Sequence, residues 1–162
     1  MRTFTKKVLT VLAGSAIALG VGAPVSFADT APAQQQVSVR SAADGSPAGA
    51  VAWYSSHAGS TGWEHYCEKA AENAYGTTGV WASAIAHWNG ASPKHSGDKN
   101  PPLGAFVYWK ISQYGHVGVS DGKGGFWATS VGGKIGHVTK AGGGYGYFSN
   151  YLGWTPGAKP SH

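Results

Sequence analysis

The chain carries a single thiol, Cys67. Exported proteins commonly use cysteine for disulfides, so one without a partner, behind an export signal, needs a packing reason or a chemical one. Cys67 sits in Trp63-Glu64-His65-Tyr66-Cys67-Glu68-Lys69-Ala70-Ala71, which reads as the opening of a helix. Further on, Gly115-His116-Val117-Gly118-Val119 places a histidine at the start of a strand-like run. A thiol attacks carbonyl carbon as the thiolate, and at an ordinary pKa of about 8.5 it is mostly protonated at neutral pH. The positive end of a helix favours the anion. An imidazole can take the proton and return it to a leaving amine. Backbone N–H groups at the helix start, that of Cys67 among them, are suited to a developing oxyanion. Glu64 and Glu68 either steady a cationic histidine or face water. The plain alternative for Cys67 is a small buried hydrophobe, as most free cysteines are. His116 alone would be an ordinary structural histidine. Their occurrence together favours thiol hydrolysis.

Other residues carry less. His57, His65, His87, His95, His137 and His162 show no metal-ligand spacing, so neither a metal site nor a cofactor is expected. Glu64, Glu68 and Glu72 recur every fourth residue, and a solvated acidic helix face is the expected meaning. Asp98 is expected to form a turn. The seven tryptophans suit either a sugar-binding groove or a core, and in a chain this short most are expected inside.

These residues need elements to hold them. Val51 to Ser56 suggests a short helix ended by Gly59. A second helix begins between Gly62 and Tyr66 and stops at Gly76, with Tyr66, Ala70, Ala71, Ala74 and Tyr75 on one face. Thr78 caps a third, Gly79 to Trp88, with Val80, Trp81, Ala84, Ile85 and Trp88 inward. Strands follow over Ala105–Trp109, His116–Ser120, Phe126–Ser130, Ile135–Thr139 and Tyr151–Trp154, with Asp121 to Gly125 as a tight connection. Helices first and strands afterwards predict an α+β domain with an antiparallel meander.

The N-terminus predicts a secretory signal peptide over residues 1–28. Arg2, Lys6 and Lys7 precede an uncharged apolar stretch, Val8 to Val21, and Ser26-Phe27-Ala28 offers small residues before the cut. The stretch is short for a membrane span of about twenty residues, so no stable membrane insertion is expected after cleavage. Residues 29–47 read as a flexible leader poor in apolar content, 48–155 as one domain, and 156–162 as a disordered tail. Three of the twelve cations fall in the signal, which leaves nine against seven acidic residues. That mild balance, with no cationic block, argues against nucleic acid as a partner. The expected location is outside the cell or in its wall, as a monomer.

Cys67 on a helix ending Ala74-Tyr75-Gly76, then Pro101-Pro102-Leu103-Gly104-Ala105-Phe106-Val107-Tyr108-Trp109, then Gly115-His116-Val117-Gly118-Val119, resembles the NlpC/P60 and CHAP superfamily of cysteine peptidases and amidases. Tyr151-Leu152-Gly153-Trp154 is similar to the close of secreted actinobacterial members. The resemblance spans about Ala48 to Trp154. It implies a papain-like core, Cys67 as nucleophile, His116 as base, and peptidoglycan as the partner whose amide bonds are cut. Two departures stand beside it. Tyr66-Cys67-Glu68-Lys69 replaces the usual Asp-Cys-Ser-Gly of NlpC/P60 members, nearer the CHAP style. The residue that orients the histidine, a dozen positions on, is Ala128, so Thr129 or Ser130, a backbone carbonyl or a water would have to serve. A noncatalytic wall- or glycan-binding protein on a degenerate form of this fold, or an antibacterial effector hydrolase, are the alternatives.

Overall fold

A computed structural model describes residues 42–162. The expected signal peptide, residues 1–28, and the expected leader up to residue 41 lie outside the described residues. Three helices come first: α1 (Pro47–Ser56), α2 (Cys67–Ala74) and α3 (Ala84–Gly90). Six strands follow: β1 (His95–Ser96), β2 (Phe106–Trp109), β3 (His116–Ser120), β4 (Phe126–Ala128), β5 (Gly136–Val138) and β6 (Tyr151–Thr155). They make one antiparallel sheet in the order β1-β6-β2-β3-β4-β5. The expected meander holds for β2 to β5, and β6 returns to the free edge of β2, where the two-residue β1 pairs with it.

Local chemistry sets the helix ends. Ser46 caps α1 by accepting a hydrogen bond from Gly49 N at 2.9 Å, with Pro47 in the first turn, where its missing N–H costs nothing. The folded body therefore begins before residue 48: Ala43 packs against the core and its N–H reaches Gly49 O. α3 starts later than expected. Residues 79–83 bend instead of coiling, and Ser83, not Thr78, supplies the cap by accepting from Ala86 N. This rotates the inward face to Ala84 and His87. α2 stops before Gly76, whose φ of +69° belongs to the left-handed region. A Cβ there would stand 2.5 Å from Ala43 O.

β2 and β3 are buried along their whole length, so both sheet faces are covered. Alternation divides their side chains. Phe106, Tyr108, Val117 and Val119 join Tyr54, Ala70, Ala71, Ala74 and Tyr75 of the helical layer. Val107 and Trp109 join Phe126, Ala128, Tyr145 and Trp154 on the other face. The register pairs Trp109 with His116, which starts β3 at the lip of the β2–β3 loop. That loop is held to α3 by a hydrogen bond from Ile85 N to Tyr114 O at 2.9 Å. The tail expected to be disordered lies against the body: Pro160 is buried and the His162 ring meets Trp81 edge to face at 4.6 Å. Among the described residues no helix is long and apolar enough to cross a membrane.

Candidate active site

A cavity of about 710 Å³ opens between the start of α2, the bend before α3, the β2–β3 loop and the end of β4. Cys67, His116, Thr129 and Ser130 all line it. The four residues singled out in the sequence, far apart along the chain, are thus brought to one place. Cys67 is the first residue of α2, and no side chain caps that helix. Its first-turn N–H groups are therefore left for a sulfur or a substrate oxygen. The backbone groups of Val117, Glu68 and Cys67 itself lie near enough to the thiol to pull its pKa down, in the sense that favours the anion. Burial outweighs them and pushes its pKa up to about 11, and the Glu68 charge adds to the rise.

His116 is only 3 % exposed. Val117 next to it faces the helical layer, whereas the imidazole meets Phe148 edge to face at 4.5 Å and lies 6.0 Å from the Trp109 ring. Burial brings its pKa down to about 4, against smaller upward pulls from the Thr129 backbone and the Glu64 carboxylate. Although the Thr129 backbone is near enough to exert that pull, Nε2 is buried and makes no hydrogen bond of sound geometry. Cys67 and His116 are not hydrogen-bonded to each other. The pair rests as neutral thiol and neutral imidazole, the imidazole seated among aromatic rings.

Neither hydroxyl proposed to orient the histidine does so. Extending the Gly118–Ala128 pairing by two residues would set Ser130 opposite His116, but β4 ends at Ala128 and Ser130 turns to a φ of +61°. Its Oγ donates to Glu64 Oε2. Thr129 Oγ1 is buried without a partner. Glu64 is the residue that reaches both sides: it accepts from Ser130 and its charge acts on His116. His65, another cavity residue, has a φ of +66°. Left-handed backbone at two non-glycine residues of one cavity is the kind of local strain that gathers at functional sites.

The acidic stripe is not a solvated face. Glu68 and Glu72 are buried. Glu68 Oε1 lies 2.8 Å from His87 Nδ1 of α3, and Glu72 accepts from Trp81 N at 2.7 Å. Burial raises the Glu68 pKa, which His87 partly offsets. These contacts dock α3 and the bend before it onto α2, and so build one wall of the cavity. Four-residue spacing was the available signal for Glu68; nothing local marked His87 as its partner. Tyr54 is a further polar residue near the thiol. It is fully buried, close enough for the Cys67 charge to act on it, and its hydroxyl has no partner. Comparison of the chain with protein-family models, with characterised proteins and with solved structures finds no match.

Proposed function

We propose that this protein is a secreted hydrolase that cuts amide bonds in peptidoglycan by thiol catalysis, on a papain-like core, with Cys67 as nucleophile and His116 as base. The observation that carries the reading is the shared cavity. A thiol on an uncapped helix start and a histidine opening the neighbouring strand line one groove, and the backbone of the residue after that histidine lies near enough to favour the thiol's anion.

The His116 ring turns from Phe148 toward the sulfur and takes its proton. The sulfur bonds to the substrate carbonyl carbon while backbone N–H groups at the start of α2 hold the oxyanion. The carbon–nitrogen bond then breaks and the imidazolium gives its proton to the departing amine. Water, deprotonated by the same imidazole, releases the acid and restores the thiol. Glu64, anchored by Ser130, stabilises the transient imidazolium.

A second reading, a peptidoglycan- or glycan-binding protein without catalysis, draws on the partnerless Nε2 and on Ala128 at the position of the orienting residue. Acid-quenched intact-mass spectrometry separates the two. Residues 29–162 incubated with soluble muropeptides should carry an acyl adduct on Cys67, absent from Cys67→Ala. Binding to muropeptides with no adduct, and no hydrolysed product, would favour the second.

A further inference from the structure

At the other end of β3 from His116 lies a second cavity, of about 440 Å³, lined by Lys99, Asn100, Lys123, Lys140, Tyr145 and a run of glycines. Three of the eight lysines in residues 42–162 reach it from three separate connections: between β1 and β2, between β3 and β4, and after β5. Among the described residues none of the three makes an ion pair. All three side chains are exposed to solvent, and a concave wall lined by cations concentrates a field that attracts anions.

Two carboxylates stand nearby, and neither lines the cavity. Asp121 is engaged by Lys123 N and Gly125 N through Oδ1 and by His137 Nε2 at 2.9 Å through Oδ2. Asp98 Oδ1 accepts from Asn100 N and Nδ2. The glycines have a steric reason. Those at 143 and 144 are left-handed, with φ of +115° and +50°. A Cβ on Gly144 would stand 2.8 Å from Gly124 O, and one on Gly124 3.0 Å from Lys140 Cδ. Two loops pressed together without side chains leave bare main chain beside the ammonium groups, a lining suited to phosphate oxygens.

We propose that this cavity binds a phosphate group, carried on a polyol-phosphate chain. Compact ammonium charges serve phosphate as point charges, and the volume exceeds what the phosphate alone fills, leaving room for the polyol unit attached to it. The site anchors the protein to an anionic polymer and stands apart from the thiol cavity, so it does not rest on the catalytic reading.

The test titrates ¹⁵N-labelled residues 29–162 with inorganic phosphate and, separately, with poly(glycerol phosphate), following the amides of Gly124 and Gly144. Both ligands should shift these amides, the polymer at lower phosphate concentration; a shift with phosphate alone would retain the phosphate site and overturn the polymer assignment. Lys123→Gln and Lys140→Gln should each weaken polymer binding about tenfold. Lys134→Gln and Lys159→Gln, which remove the same charge outside the cavity, should change it less than about twofold. Unmoved amides, equal losses in all four variants, or equal binding of polyglutamate would overturn the proposal. Cys67→Ala should bind as the unaltered chain does.

Discussion

Nearby backbone groups favour the Cys67 anion and burial opposes it, and burial wins. The imidazole is likewise kept neutral. A resting ion pair of thiolate and imidazolium is therefore disfavoured on both sides, and in the proposed reaction the thiolate would form only as His116 takes its proton. This has a pH signature. An acid whose folded pKa is raised keeps its proton through neutrality and loses it toward pH 11, so reactivity follows the small thiolate fraction upward. Iodoacetamide labelling of Cys67 in the folded, substrate-free protein should be slow at pH 7 and rise about tenfold per pH unit to at least pH 10. A rate that levels off by pH 8 would show an activated thiol at rest and contradict this account. At the same scale Glu64, rather than Thr129 or Ser130, is the polar side chain that acts on His116, through its charge and without a hydrogen bond to the ring. A count of residues along a strand could not find it, because it approaches from the segment before α2 and not from the sheet.

Between elements, the decisive contact is the buried pair of Glu68 and His87, which fastens α3 to α2. Removing one partner leaves the other buried alone, a change that costs about 3–5 kcal/mol. His87→Leu should therefore lower unfolding stability by that order in denaturant titrations, and Glu68→Leu with His87→Leu together by distinctly less. A loss under about 1 kcal/mol for the single variant would mean that the pair does not hold the helices together. Much of this level was legible in the sequence. His116–Ser120 is a strand as expected, because alternating valines separated by glycine read directly as one buried face. The second helix, expected to begin between Gly62 and Tyr66 and to stop at Gly76, runs from Cys67 to Ala74. What failed was α3, where Thr78 was the expected cap and Ser83 supplies it instead. The choice was made by Glu72 capturing Trp81 N, a contact between segments that local propensity does not encode. The acidic stripe failed for the same reason: spacing reveals a common face but not what lies against it. β1 is two residues long and exists only because β6 returns beside it.

For the whole molecule, the two cavities lie at opposite ends of β3, one with the thiol and imidazole, the other with three lysines. The proposed arrangement separates cutting from holding. The cutting half is tested most directly by the peptides that residues 29–162 release from purified sacculi. Soluble peptides should accumulate with the unaltered chain, while Cys67→Ala, folded to the same melting temperature, should release none and His116→Ala close to none. Equal release by Cys67→Ala, or no release by the unaltered chain, would contradict thiol hydrolysis of peptidoglycan.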